Sequence, residues 1–419
     1  MQIIRILLVS VLSFSALTQA DCLNTENTTA EFMSQNRPEC LKNSRFLLAQ
    51  PSAASENFQT LLVNPQSKKE GLVNGSIIHC RYVYQKQNGA SAKFRCARTN
   101  DKNQLLDSKG CLVADAVGLV SEGDEVYLTN QNNEKITEDG KNGKVKPLKA
   151  HIMKVRYQTG DKRNVENYTS AAASRVFWAL GLPAHSNYMT EKVVCFGCGQ
   201  QPFKGQQAEI KDVITEFIDA GIEVKFDGER LYDPTQQPWK WSELLKMQRH
   251  SADDIKLEID VLALASQFIG AIGTTDMQNA IVCTKFNKEN PAICEQSFAM
   301  AHDLGAAFGT RIKTPFGGDA PRGDIGAYTN ASIFNENTCT FVYSDGGRQL
   351  PEKISNNARI EFLKRAEILT RENLLVIFAA SHMGRLHNLK QRTANAVIEG
   401  RWADAVLNRL KEIQNAPCR

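Results

Sequence analysis

"GTTDMQN" (Gly273–Asn279) and "MAHDLGAAFG" (Met300–Gly309) bracket two short apolar runs, "AIVCTKF" (280–286) and "SFAM" (297–300). An acid stands on each side: Asp276 before the first run, Asp303 after the second. Alone, an Asp beside Gly or Asn is ordinary turn chemistry. Separated by a predicted β-hairpin, the two form a more specific pair, and the surrounding chain has to decide between turn and site.

Working outward, the residues before Asp276 read as helix: "WSELLKMQ" (241–248), then "DDIKLEIDVLALASQFIGAI" (253–272). The last seventy or so residues are also helical in pattern, as "ARIEFLKRAEILTRENLLVIFAASHM" (358–383) and "ANAVIEGRWADAVLNRLKEIQ" (394–414). The N-terminal side is different. "SIIHCRYVYQ" and "SAKFRCAR" flank an Asn88-Gly89 turn, a strong hairpin signal, and Cys80 and Cys96 are placed to bridge the two strands. "EVYLTN" (125–130) and "AHIMKVRYQ" (150–158) are further strands, the second setting Ile152, Lys154 and Arg156 against Met153, Val155 and Tyr157. A helix follows in "DKRNVENYTSAAASRVFWALGLP" (161–183), with Val165, Tyr168, Ala172, Val176 and Ala179 on one stripe, stopped by Gly181 and Pro183.

The sequence therefore predicts an α+β chain in two lobes. Residues 1–20 read as a leader, 21–75 as a loosely structured extension pinned by Cys22 and Cys40, 76–205 as a β-rich lobe with one main helix, and 206–419 as a mostly helical lobe with a helical tail. The leader reading rests on Arg5, the apolar run Ile6–Leu17 and the small residue Ala20 before Asp21. No later stretch is long and apolar enough to span a bilayer, so an exported protein, periplasmic or extracellular, is expected. The formal charge of +4, or +3 without Arg5, is too small a bias for nucleic-acid binding.

All eleven cysteines lie beyond the leader, and in an oxidising compartment disulfides are expected, with an odd thiol left over. Cys195, Cys198, Cys283 and Cys294 have the residue type for zinc, but disulfides suit an exported chain better. A redox role for "CFGC" (195–198) calls for a helix after it, and "GQQPFKGQQ" reads as loop. His302 reads as a packed strand histidine rather than a ligand, and Trp239 and Trp241 as core.

Phosphoryl transfer needs a cation on the nucleotide phosphates, carboxylates for the metal and a carboxylate near the attacking hydroxyl. Lys154, in mid-strand, is a candidate for the first, against the plain alternative of an outward-facing strand Lys. Glu166, in the first turn of the next helix, is a candidate to orient it, or simply favoured there by the helix dipole. Ser170 lies one turn further on the same face, and if the orienting position falls there the acid is absent. Asn279 can hold a metal, while Leu304-Gly305 makes a tight turn after Asp303 that lets its carboxylate face a nucleotide. "GLVSEGDEV" (118–126) is a weak candidate for a phosphate loop.

"GTTD" resembles the G-x-T-D catalytic segment of CotH-type kinases, and HipA-type and phosphoinositide kinases carry a related D-x-H-x-x-N. "HDLGAAFG" is similar to the metal-binding D-x-G segment of that superfamily. With "SRVFWALGLP" and "VVCFGCG", the chain from about residue 78 to 380 resembles uncharacterised exported bacterial proteins of protein-kinase-like arrangement. The resemblance implies ATP or another nucleotide with Mg²⁺ or Mn²⁺. It implies that Lys154 and the Asp303–Gly305 turn bind it, Asp276 acts as base, Asn279 and Asp303 hold metal, and a protein or small molecule accepts the phosphoryl group. Asn279 follows Asp276 by three residues, where the relatives have about five. Aligned without a gap on "IVC", Gly273 takes the Asp position, the pattern of a degenerate kinase. An inactive kinase-like binding module is therefore the alternative to an active enzyme.

Overall fold

The computed structural model describes residues 22–23, 37–38, 40–54, 58–64, 72–84, 91–122, 125–139, 145–159, 164–204, 213–231, 239–248, 252–270, 279–290, 293–301, 304–305, 307–309, 323–330, 332–334, 354–386 and 394–416. The predicted leader, Asp276, His302 and Asp303 lie outside them. The architecture is mixed α/β. After the short strand β1 (Cys22–Leu23) and helix α1 (Phe58–Val63), the expected hairpin forms from β2 (Ile77–Val83) and β3 (Lys93–Thr99). The connection to β8 (Ile152–Arg156) carries two ribbons, β4 (Gly118–Glu122) with β5 (Glu125–Thr129) and β6 (Thr137–Asp139) with β7 (Val145–Pro147). Helix α2 (Val165–Ala179) follows, and Gly181 (φ 71) ends it where the sequence placed the stop.

Four more strands complete the main sheet: β9 (Ser186–Met189), β10 (Lys192–Phe196), β11 (Ile214–Ile218) and β12 (Gly221–Val224). The strand order is β11-β10-β2-β3-β8-β12-β9. This order bends the sheet. β9 and β10 are consecutive in the chain with only Thr190 and Glu191 between them, and β11 and β12 with only Asp219 and Ala220, yet each pair sits near opposite ends of the order. A two-residue link is too short to cross a flat sheet of this width. The two links hydrogen-bond each other, Thr190 N–H to the Ala220 carbonyl and Asp219 N–H to the Glu191 carbonyl, both at 2.9 Å. The sheet is thus rolled, its two ends joined through this corner. The interior is apolar, with Phe94, Met153, Val155, Tyr157, Phe217 and Ile222 pointing inward, as the alternation in "IMKVRY" requires.

The remainder is helical around a second sheet in the order β1-β15-β14-β13, with β13 (Glu229–Leu231), β14 (Ala280–Phe286) and β15 (Ile293–Met300). Its helices are α3 (Trp241–Gln248), α4 (Asp253–Phe268), α5 (Ile325–Asn330), α6 (Asn356–Ala366), α7 (Arg371–Ala380) and α8 (Asn395–Asn415). The run predicted as one helix over 358–383 is two, because Thr370 caps α7 by accepting the Asn373 N–H at 3.3 Å.

Two boundaries differ from the expectation. The change to a helical character at residue 205 is too early: β11 and β12 belong to the main sheet, and the alternating "ITEFI" and "GIEV" are the signal that was missed. The described part of 21–75 is not loose. Cys40, Leu41, Phe46, Phe58 and Leu62 are buried in the largest core, and the buried Glu258 carboxylate on α4 accepts the Phe46 N–H at 2.7 Å. The polar composition of that stretch hid a few anchoring apolar residues.

Disulfides join Cys80 to Cys96, Cys195 to Cys198 and Cys283 to Cys294, and Cys40 is also disulfide-bonded. Cys195 and Cys198 are fully buried in the rolled sheet, while Cys283 and Cys294 staple the β14–β15 hairpin, so these four do not form one zinc site. Among the described residues Cys111 is a free, exposed thiol, and no described helix is long and apolar enough to cross a membrane. Trp239 and Trp241 are core residues, packed edge to face with ring centroids 5.4 Å apart.

Candidate functional site

The outer face of β8 carries the polar residues that its inner face excludes. Strand register sets Arg95 of β3, Lys154 of β8, Glu223 of β12 and Asn187 of β9 side by side in one row. Lys154 Nζ donates to both oxygens of Glu223, at 3.1 and 3.0 Å. Arg156, two residues on and on the same face, donates to Glu223 Oε2 at 2.6 Å and to Asn187 Oδ1 at 3.0 Å. Glu223 is 8% exposed, so burial would be costly without the two cations that neutralise it. Gly221 belongs to this arrangement: a Cβ there would stand 3.3 Å from Asn167, and its absence lets α2 close onto the sheet.

His185 sits beside this row. Burial pushes its pKa down to about 3, the neighbouring Lys154 and Arg230 charges adding to the effect against Glu223. Its Nδ1 accepts the Phe226 N–H at 2.8 Å, which fixes the neutral tautomer with the proton on Nε2.

Glu166, in the first turn of α2, lies 3.9 Å from Arg156 Nε. The carboxylate that grips Lys154 through both oxygens comes instead from the adjacent strand, at Glu223. Ser170, the other candidate, is buried within α2 at 2% exposure. Glu223 was missed because it follows residue 205, inside the stretch read as helical.

The described flanks of the acidic segments lie close together. Ala280 pairs with Met300, so the chain carrying Asp276 enters the hairpin, and the chain carrying Asp303 leaves it, at the same end. Gly305 accepts a hydrogen bond from Thr169 Oγ1 on α2 at 2.7 Å, one turn along from Glu166. Phe308 N–H donates to the Ile269 carbonyl at 2.7 Å, tying the end of the second segment to the C-terminus of α4, which precedes the first. Lys154, Glu166, Asn279 and Gly305 are therefore held by elements in direct contact. The positions of Asp276 and Asp303 themselves lie outside the described residues.

Asn279 is completely buried, and its Nδ2 donates to the Trp239 carbonyl at 3.1 Å. That bond fixes the amide orientation, because flipping it would set two oxygens against each other. Among the described residues its Oδ1 then has no hydrogen-bond partner, and a neutral oxygen of this kind suits a hard cation such as Mg²⁺ or Mn²⁺. Among the described residues no group of three metal-ligating side chains is assembled, so the described donors fit such an ion only as part of a set. The weak phosphate-loop candidate fares poorly. It forms the β4–β5 ribbon, whose tip strands carry Glu122 and Glu125, paired with Lys135 and Lys149. Carboxylates there oppose phosphate binding.

The chain matches no known family model, and no curated protein matches it. Among solved structures it is similar to the crystal structure of a Helicobacter pylori proinflammatory kinase, CtkA. The identity is 8%, the TM-score 0.37, and the match covers 72% of this chain and 92% of that one. A likeness this slight carries no conclusion about fold or activity.

Proposed function

We propose that this chain is an exported, two-lobed, kinase-like phosphotransferase that uses a nucleotide with Mg²⁺ or Mn²⁺. The observation that carries the reading is that the row of Lys154, Glu223 and Arg156 meets the first turn of α2 through Arg156 and Glu166, while Thr169 on the same helix bonds the Gly305 turn. The rolled sheet, residues 76–204 together with β11 and β12, is one lobe, and the helices around the second sheet are the other. The disulfides are compatible with export.

In this reading Lys154 contributes the ammonium that meets the phosphate oxygens, and Glu223, itself fixed by Arg156, holds it across the strand row. Asp276 accepts the proton of the acceptor hydroxyl as its oxygen bonds to the transferred phosphorus, and the nucleoside diphosphate leaves. Asn279 Oδ1, with Asp303, holds the metal ion, which neutralises phosphate charge when bound. Glu166 and Arg156 keep α2 against the sheet. The work is positioning and charge neutralisation.

A thermal-shift titration with ATP and Mg²⁺ or Mn²⁺ tests it. Binding to the folded state raises the midpoint by mass action, and Asp303→Ala abolishes the rise. No rise at millimolar nucleotide sinks the proposal.

One observation favours the second reading, an inactive kinase-like module that binds a partner. Both oxygens of Glu223 already occupy the Lys154 ammonium. With an Asp-to-Asn spacing two residues shorter than the pattern it resembles, the site would hold a nucleotide without completing transfer. Nucleotide binding without transfer to any acceptor would select that reading.

A further inference from the structure

Helix α8 contacts both the end of α4, before the first acidic segment, and Phe308, within the second. Arg409 on α8 is buried at 3% exposure, an unusual site for a permanent cation. Its NH1 donates to the carbonyls of Gln267 and Phe268 at 3.1 and 3.2 Å, and its NH2 to the Tyr328 carbonyl at 2.7 Å. The guanidinium carbon lies 3.8 Å from the Tyr328 ring centroid, and Tyr328 OH donates to the Phe268 carbonyl at 2.7 Å. Gln267 and Phe268 are the last two residues of α4. Arg409 therefore holds the end of the helix from which the Asp276 segment departs, supplying positive charge where the helix dipole is negative.

The Asp303 segment is held by the same helix. Phe308 has a left-handed backbone, φ 57, a conformation that bulky residues adopt only where the surroundings impose it. Trp402 of α8, Tyr328 and Phe378 surround its ring, with centroids 5.7, 5.6 and 5.8 Å away. The residues flanking the two segments also meet. Gly270 (φ +66) comes so close to Gly309 that a Cβ would stand 2.9 Å from the Gly309 carbonyl oxygen.

We propose that α8 is the element that fixes the flanks of the two acidic segments, residues 267–270 and 307–309, relative to each other, with Arg409 and Trp402 as positioning residues. This deepens the phosphotransferase reading and rests on it for its catalytic meaning. An ordinary helix cap would stabilise α4 alone. Here the capping helix also cages the strained Phe308, and the two chains it contacts are bonded to each other between Phe308 and Ile269.

Hydrogen exchange read by mass spectrometry on the full chain tests the positioning. Arg409→Lys keeps the charge and loses the fork, and Trp402→Phe keeps an aromatic ring and loosens the cage. Faster exchange is expected in peptides covering 264–280 and 301–310 in both variants, with the β2–β3 hairpin unchanged. The midpoint rise with ATP and Mn²⁺ is expected to need about tenfold more Mn²⁺, the scale of an outer-shell change. Exchange accelerated uniformly over the chain, or unchanged at both peptides, overturns the proposal. If the native chain shows no rise with nucleotide, the phosphotransferase reading fails, and the exchange pattern still decides whether α8 positions the segments.

Discussion

Lys154 Nζ stands 3.0 Å from Glu223 Oε2 across the β8–β12 register, and Arg156 reaches the same oxygen at 2.6 Å. One buried carboxylate thus serves two cations from a single strand. Removing the carboxylate leaves both cations without it, and removing one cation leaves the other in place.

Glu223→Gln is accordingly expected to destabilise the fold by about 3 kcal/mol or more, as breaking a buried ion pair does. Lys154→Met should cost clearly less, because Arg156 still neutralises Glu223. Urea denaturation of the two single variants and the double variant measures this. Equal costs for the two single changes would refute the shared-carboxylate account.

Stability should fall on mild acidification. Burial holds His185 down to about 3 and His151 down to about 4, from the usual 6.5. The sign follows from proton counting: below pH 6.5 the unfolded chain takes up protons at both residues and the folded chain does not, so stability drops as pH falls towards 4. Each residue contributes a slope approaching about 1.4 kcal/mol per pH unit. His185→Gln should flatten the pH 4–6 limb of the urea midpoint by about one proton. An unchanged slope would show that His185 is not held neutral.

Asp219 adds a further acid-side loss. Burial raises its pKa, but hydrogen bonds from His382 and Tyr168 and the charges of His382 and Arg385 outweigh this and hold it below its usual 3.8. Its contribution is present above that value and lost as pH falls further through the lowered one. Asp219→Asn should therefore lower stability at pH 6 and narrow its difference from the native chain towards pH 3, as read by denaturant midpoints.

Gly228 links the rolled sheet to β13 with φ +134, and a Cβ there would run into the Cys283 carbonyl. Gly228→Ala combines backbone strain with a backbone clash, and a loss of roughly 2–4 kcal/mol is expected. Gly75, also at positive φ but with open space around it, is the control. Gly75→Ala should cost only about 1 kcal/mol of strain. Differential scanning calorimetry distinguishes the two.

The buried Cys195–Cys198 disulfide should resist dithiol reduction until the chain unfolds, whereas exposed Cys111 should be alkylated at once. Peptide mapping after native-state labelling reads both. Ready reduction of Cys195–Cys198 in the folded state would restore the redox role that its burial argues against.

The sequence by itself determined the local elements and their faces. The alternation in "IMKVRY" put Met153, Val155 and Tyr157 inside and Lys154 and Arg156 outside. The alternating runs around Cys80 and Cys96 set the two strands that this disulfide bridges, and Gly181 ended α2. These follow from backbone period and turn chemistry, which act over a few residues. What only the tertiary structure decided was who faces whom. The residue that holds Lys154, Glu223, lies sixty-nine positions away, on a strand that pairs with β8 because the sheet rolls through the Thr190–Glu191 and Asp219–Ala220 links. The contact of Ile269 and Gly270 with Phe308 and Gly309 likewise depends on the β14–β15 register and on α8, which begins more than a hundred residues after the first of them. Register and long-range packing are properties of the assembled chain, and no local pattern encodes them.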